Sequence, residues 1–219
     1  ANLAHLDTKV FLGGVAGTDV HGKLLDELLE SNKIDGSGLI HAEDRSTITK
    51  MRILGARQQM MRLDFETIRD VNAEEEAKLI AWLTKLCQEG LDGIVVSDYG
   101  KGVCTPSVLQ QVFALAKEHG VPTIVDPKGK QWDKYNGATL ITPNVKELSE
   151  RVGHSIINDD EHVVAAAKEV LAANELDYVV ATRSEKGISV IAKDGRTWHN
   201  PATQQDVFDV SGAGDTVVA

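Results

Sequence analysis

The sequence predicts an α/β protein with a mainly parallel central sheet and a small antiparallel lid. Two observations carry that prediction. From Gly90 onward, short β-branched runs alternate with longer amphipathic stretches, the pattern of repeated strand-helix units. Before residue 70, two strand-like runs face each other across a short joint containing glycine, the pattern of a hairpin.

In chain order, Ala1 to Leu6 reads as a helix. Thr47 to Leu54 and Gln58 to Leu63 read as the two arms of the hairpin, joined by Gly55-Ala-Arg57, within a lid of residues 40–66. Asn72-Ala-Glu-Glu-Glu76 supplies an N-cap and acidic first-turn residues for a helix through Gln88. Gly93 to Ser97 is a buried strand. Thr105-Pro106 caps and opens a helix in which Val108, Leu109, Val112, Phe113 and Leu115 recur at helical spacing up to Gly120. Strands follow at Pro122 to Asp126, Thr139 to Thr142 and Tyr178 to Thr182, with a helix over Glu161 to Ala173 before the last of these. Ile188 to Ala192 is an apparent further strand. No internal repeat or low-complexity linker interrupts the chain, which reads as one domain over residues 1–219.

Composition excludes several functions. A formal charge of −10 over 219 residues opposes binding to nucleic acid or an anionic membrane surface, both of which need clustered Lys and Arg. Cys87 and Cys104 are the two cysteines and lie outside any Cys-x-x-Cys pattern, so neither a disulfide framework nor a zinc site is indicated and a reducing cytoplasm fits. No apolar run reaches the ~18 residues of a membrane helix. The seven histidines have no ligand-like spacing, and no Gly-x-Ser-x-Gly elbow supports a serine hydrolase. Met60, Met61 and Trp82 are better explained by packing than by a cofactor.

The chemistry concentrates in Asp209-Val-Ser-Gly-Ala-Gly-Asp-Thr216. Gly212 and Gly214 let the backbone approach a ligand, and a helix starting there aims free N–H groups and a positive dipole end at an anion. Asp215 beside those amides can accept a proton from an attacking hydroxyl while the amides of Gly212, Ala213 and Gly214 meet charge on a transferring phosphoryl group. The bland alternative is a glycine-rich helix start with an ordinary first-turn acid. The stretch is neither a Walker A loop nor a dinucleotide fingerprint.

This octapeptide resembles the second signature of the PfkB (ribokinase-like) carbohydrate kinases, with Val210 the one departure. Thr142-Pro-Asn-Val-Lys-Glu147 resembles that family's Asn-x-x-Glu element, which implies that Asn144, Val145, Lys146 and Glu147 organise ATP phosphates and that Glu147 serves Mg²⁺; a capping box of Asn144 with Glu147 is the competing account. Thr182-Arg-Ser-Glu-Lys-Gly187 is similar to the family's Thr-x-Gly-x-x-Gly nucleotide loop, which implies ATP contacts from Thr182, Ser184 and Gly187, with Ser184 standing where the pattern has glycine. The resemblance implies a ribokinase-like three-layer sandwich and, since the family's lid strands often pair, a homodimer.

Three further stretches are similar to the family's heptose 7-phosphate kinases: Thr47 to Leu54 with Gln58 to Phe65, Ser97-Asp-Tyr-Gly-Lys-Gly102, and Val125-Asp-Pro-Lys-Gly129. That resemblance implies phosphorylation of D-glycero-D-manno-heptose 7-phosphate on its anomeric hydroxyl for lipopolysaccharide core synthesis, and a fused adenylyltransferase domain in many members. Alternatives are another PfkB sugar kinase or an inactive nucleotide-binding piece. Lys50, Arg52, Arg57 and Arg62 gather cations in the hairpin, and Lys101 and Lys128 follow strand ends; together they are candidates for the substrate phosphate, each alone being more readily a solvated cation. Asp98 and Asp126 are candidates for sugar hydroxyls or metal-bound water, or for helix caps. The chain opens without Met and stops within Val217-Val218-Ala219, and is expected to be a kinase domain truncated at both ends, weak in catalysis by itself.

Overall fold

The computed structural model of the protein describes residues 2–55, 58–202 and 213–219 and, of Ala213 and Asp215, the backbone alone. The chain forms two compact units, Ala1–Lys85 with Lys101–Val103, and Leu86–Gly100 with Cys104–Ala219.

In the first unit, α1 (Asn2–His5) precedes β1 (Val10–Gly17), α2 (Val20–Ser31) and β2 (Ile34–Ala42). β1, α2 and β2 have no counterpart among the sequence expectations. The two strands pair in parallel and place Gly13 opposite Gly38. A Cβ at Gly13 would stand 2.5 Å from the Trp82 ring and one at Gly38 2.4 Å from it, so the paired glycines make the slot that the indole fills. The indole N–H then donates to Ser37 Oγ at 3.0 Å. Trp82 is therefore the packing residue expected of it. α2 is capped by Asp19, whose side chain accepts from Gly22 N at 2.9 Å and from Thr47 N at 2.8 Å.

β3 (Thr49–Gly55) and β4 (Gln58–Phe65) form the expected antiparallel hairpin, with a register shift between Ile53 and Leu54. Its register sorts the side chains by face, because successive residues alternate. Lys50 pairs with Asp64 and Arg52 with Arg62 on one side; Thr49 with Phe65, Met51 with Leu63 and Ile53 with Met61 lie on the other. All of β4 is exposed. After the hairpin, α3 (Ala73–Glu89) begins with a reciprocal box: Glu75 N donates to Asn72 Oδ1 and Asn72 N donates to Glu75 Oε2, each at 2.9 Å. The Asn72 cap read from sequence is thus formed. Residues 101–103 complete the unit: Val71 N donates to Gly102 O at 2.8 Å, and Arg45 donates to the carbonyls of Arg69 and Lys101.

In the second unit, β5 (Ile94–Ser97), α4 (Pro106–His119), β6 (Thr123–Asp126), β7 (Leu140–Ile141), α5 (Val145–Val152), α6 (Asp160–Ala173), β8 (Tyr178–Thr182), β9 (Ile188–Ala192), β10 (Thr197–Asn200) and α7 (Ala213–Val218) follow in order. They build a six-stranded sheet ordered β10-β9-β8-β7-β6-β5. β5 to β8 are parallel, and β9 and β10 add an antiparallel margin. Thr105 caps α4, Pro106 opens it and Gly120 closes it at φ 68°, as the sequence signals require. The core is mainly aliphatic: Val125, Ile141, Val179 and Ile191 from the sheet and Leu109, Val163 and Val170 from the helices are at most 1% exposed, joined by the buried rings of Trp132 and Tyr135. Each such aliphatic side chain contributes roughly 1.5–3 kcal/mol relative to exposure.

The strand expected over Thr139 to Thr142 is only two residues long. The cause lies in its flanks. Thr139 Oγ1 accepts from Thr123 N, and Thr123 Oγ1 accepts from Thr139 N, both at 2.9 Å. Two hydroxyls thereby replace the ladder's next rung. Among the described residues, no helix is long and apolar enough to cross a membrane.

Candidate active site

Ligand sites in open α/β sheets lie beyond the carboxyl ends of the strands. In the second unit, four of the sequence-predicted segments gather at that edge. β5 ends at Ser97, which is in register with Asp126 at the end of β6, and Asp98 N donates to Asp126 O at 3.1 Å. Beyond β7, Asn144 forms an isolated parallel bridge with Thr182 at the end of β8, and Thr182 N donates to Pro143 O at 2.9 Å. The two nucleotide elements read from sequence, Asn144 to Glu147 and Thr182 to Gly187, are therefore backbone neighbours.

Asn144 caps α5, accepting from Glu147 N at 2.9 Å, while Glu147 Oε2 accepts from Asn144 N at 3.0 Å. The capping box weighed from sequence is formed. It uses one carboxylate oxygen and leaves the other; Val145 and Lys146 are the first two residues of the helix, and Lys146 is exposed.

The Thr182 to Gly187 loop is a single 3-10 turn over Ser184–Lys186. Ser184 takes φ 53°, the left-handed region that glycine occupies at no steric cost, so the serine holds the conformation the family's glycine implies. At Gly187, φ is 84° and a Cβ would lie 2.0 Å from Asn200 O, so only glycine fits. The loop is held from beneath by residues the sequence reading missed. Arg183 is 3% exposed; its Nε donates to Asn158 Oδ1 at 3.1 Å and its Nη1 to Ser189 Oγ at 2.9 Å and to Asp160. Asn158 Nδ2 donates back to Arg183 O at 3.1 Å, and the Lys186 ammonium to Asn158 O. The available signal was position alone: Arg183 lies inside the recognised loop.

Of the two readings of Asp98, the helix cap is not formed. Thr105 caps α4 instead, and Asp98 is 3% exposed with both carboxylate oxygens engaged. Oδ1 accepts from Gly100 N at 2.7 Å; Oδ2 accepts from Tyr135 Oη at 2.7 Å and from Lys134 Nζ at 2.5 Å. Lys134 and Tyr135 were not legible as site residues, because nothing in Asp133-Lys-Tyr135 marks it as more than a polar turn. Cys104 lies near the same carboxylate, and burial pushes its thiol up to about 12, which leaves it protonated and unreactive. Lys128, beyond β6, is exposed and has no ion pair among the described residues.

The hairpin cations are mostly paired within the first unit. Lys50 lies 3.3 Å and Arg62 2.8 Å from Asp64, and Lys101 lies 2.5 Å from Glu66. Arg52 has no ion pair among the described residues. Gly212 and Arg57 lie outside the described residues, as do the side chains of Ala213 and Asp215; α7 itself opens at Ala213 and carries Gly214. Among the described residues no three His, Cys, Asp or Glu side chains cluster as a metal cage.

The family described as pfkB family carbohydrate kinase matches residues 1–219. The chain belongs to the pfkB carbohydrate kinases. Its pfkB relatives include the bifunctional protein HldE of Mesorhizobium japonicum, 42% identical over 219 residues, which are all of this chain and 44% of that protein. The bifunctional protein HldE of Citrifermentans bemidjiense is 43% identical over 218 residues, again with 44% of its length covered. The chain thus spans less than half the length of the curated relatives it matches. Among solved structures, phosphofructokinase-2 of Escherichia coli in complex with potassium superposes with a TM-score of 0.76 at 22% identity, covering 99% of this chain and 69% of that one. Arabidopsis thaliana ribokinase, complexed with ribose and ATP, gives 0.77 at 18% identity, covering 98% and 68%. Both confirm the ribokinase-like α/β fold of this pfkB kinase.

Proposed function

We propose that the protein transfers the γ-phosphoryl group of ATP to the anomeric hydroxyl of D-glycero-D-manno-heptose 7-phosphate, giving the 1,7-bisphosphate. The observation that carries this reading is the bridge between Asn144 and Thr182, which joins two nucleotide-type elements at the carboxyl edge of a parallel sheet. Kinship at about 40% identity with bifunctional HldE proteins supports the choice of sugar.

In this mechanism Asp215 takes the proton of the anomeric hydroxyl as its oxygen bonds to the γ-phosphorus and the bond from phosphorus to the β,γ-bridging oxygen breaks, releasing ADP. The amides from Gly212 to Gly214 meet the charge that develops on the phosphoryl oxygens. Thr182, Ser184 and Gly187 line the nucleotide side. Of the candidate cations, Lys128 in the second unit and, separately, Arg52 in the first have no ion pair among the described residues, whereas Lys50, Arg62 and Lys101 are held by Asp64 or Glu66. Asp126 remains a hydroxyl-binding candidate; Asp98, already saturated, organises its loop. A Mg²⁺ ion, when bound, neutralises phosphate charge, and the oxygen of Glu147 left over from the capping box suits a hard cation that keeps several waters.

The setting follows from the substrates. ATP and two unpaired cysteines fit the cytoplasm. A second copy is the expected partner through the hairpin, and a second catalytic domain, an adenylyltransferase, accompanies this one in the whole protein.

The test is turnover by the full-length protein with ATP, Mg²⁺ and the heptose phosphate, beside ribose and fructose. Asp215→Asn should lower kcat roughly a hundred- to ten-thousandfold. Turnover of ribose or fructose alone would sink the heptose assignment and keep the kinase; ATP binding without any turnover would favour a nucleotide-binding module.

A further inference from the structure

The loops beyond β5 and β6 are tied together by one buried hydroxyl. Tyr135 is fully buried and its Oη accepts from Lys128 N at 3.0 Å while donating to Asp98 Oδ2 at 2.7 Å. The other oxygen of Asp98 holds Gly100 N, so a single chain of hydrogen bonds runs from the backbone of Gly100 through Asp98 and Tyr135 to the backbone of Lys128. The next residue of that loop is fixed too, since Trp132 Nε1 donates to Gly129 O at 2.9 Å. Burial raises the Tyr135 phenol well above its ordinary range, so it remains a donor at every working pH. Lys134 balances the carboxylate that this arrangement buries.

This wiring has a purpose beyond packing. A buried apolar ring would fill the space equally well, and burying a hydroxyl and a carboxylate costs stability unless each is satisfied. What the polar groups add is directional: they fix two loop backbones at the sheet edge where ligands of α/β folds bind, and one of those loops carries the exposed Lys128. We propose that Tyr135 is a positioning residue for the acceptor-substrate pole, setting the loop that presents Asp126 and Lys128 to the phosphosugar. The inference rests on the reading of the function given above for the identity of the substrate, and on geometry for the coupling of the loops.

The experiment uses Tyr135→Phe in the full-length protein, which removes one oxygen and keeps the ring. Hydrogen exchange of segments 98–102 and 126–130 should quicken in the variant while the Thr182 to Gly187 loop is unchanged. KM for the heptose phosphate should rise roughly five- to tenfold, the loss of about one hydrogen bond, with KM for ATP unaltered. Asp98→Asn, which keeps an acceptor for Gly100 but weakens the link to Tyr135, should shift the same parameters in the same direction. Unchanged exchange in both segments, or an equal rise of both KM values, would overturn the proposal. If the wild type fails to use the heptose phosphate, the substrate reading falls by itself and the exchange measurement alone decides whether Tyr135 couples the two loops.

Discussion

At Ser184 two residue-scale effects oppose each other. A non-glycine residue in the left-handed region costs roughly 1–2 kcal/mol, whereas glycine loses about 0.5–1 kcal/mol more chain entropy on folding. The steric relief is the larger, so Ser184→Gly should stabilise the protein by up to about 1 kcal/mol in denaturant unfolding; a clear loss would show that the serine side chain supports the loop. Arg183 is the opposite case. Arg183→Ala strips Asn158, Asp160 and the buried Ser189 of a shared donor and should cost on the order of 2–3 kcal/mol. Arg183→Lys should recover little, since one ammonium cannot reach partners spread around a planar fork. Thr182, Ser184 and Gly187 were legible because a spacing pattern survives the change to serine. Arg183 was not, because its importance comes from Asn158 and Asp160, some 25 residues away along the chain.

At the scale of elements, the sequence revealed those whose local signals agree with their packing. α4 has its Thr105 cap, Pro106 and Gly120 in the expected places. β1 and β2 lacked such signals because their glycines depress strand propensity, and the reason for two of them, Gly13 and Gly38, is the ring of Trp82, which lies in α3. Gly38→Ala should destabilise the first unit by roughly 1–3 kcal/mol through overpacking against that ring, and Trp fluorescence should report the displaced indole. The caps also predict acid behaviour. Hydrogen bonds from the Thr47 and Gly22 amides hold Asp19 at about 2, and the Arg69 guanidinium together with the Asn72 amide holds Glu75 at about 2, against ordinary values of 3.8 and 4.5. Depressed carboxylates stabilise while ionised, so their contribution is complete above about pH 5 and is lost as pH falls toward 2. Asp19→Asn and Glu75→Gln should each flatten the fall of Tm between those limits; an unchanged profile would exclude these groups as its cause.

For the whole molecule, the parallel sheet was legible from alternating strand and helix patterns, and the hairpin from its two flanking runs. What the sequence could not convey is that the hairpin's apolar face is left open: Met51 is 46%, Met61 50% and Phe65 52% exposed. A surface of that kind favours association. Met61→Asp with Phe65→Asp should halve the mass measured by light scattering while leaving the secondary structure unchanged; a monomeric wild type would remove the case for a dimer.

The first unit is not continuous in sequence. Lys101–Val103 belong to it, accepting from Val71 N and Arg45, although β5 precedes them. A chain emerging from the ribosome meets its needs in order, at about 5–20 residues per second. The Gly102 carbonyl that satisfies Val71 and the second of the two carbonyls that Arg45 binds, that of Lys101, do not yet exist when the hairpin and most of α3 have been made, so the N-terminal unit must wait, partly open, for a segment that arrives only after the first strand of the other sheet has been synthesised. Vectorial synthesis therefore cannot finish one unit before starting the next, and the two are bound to mature together.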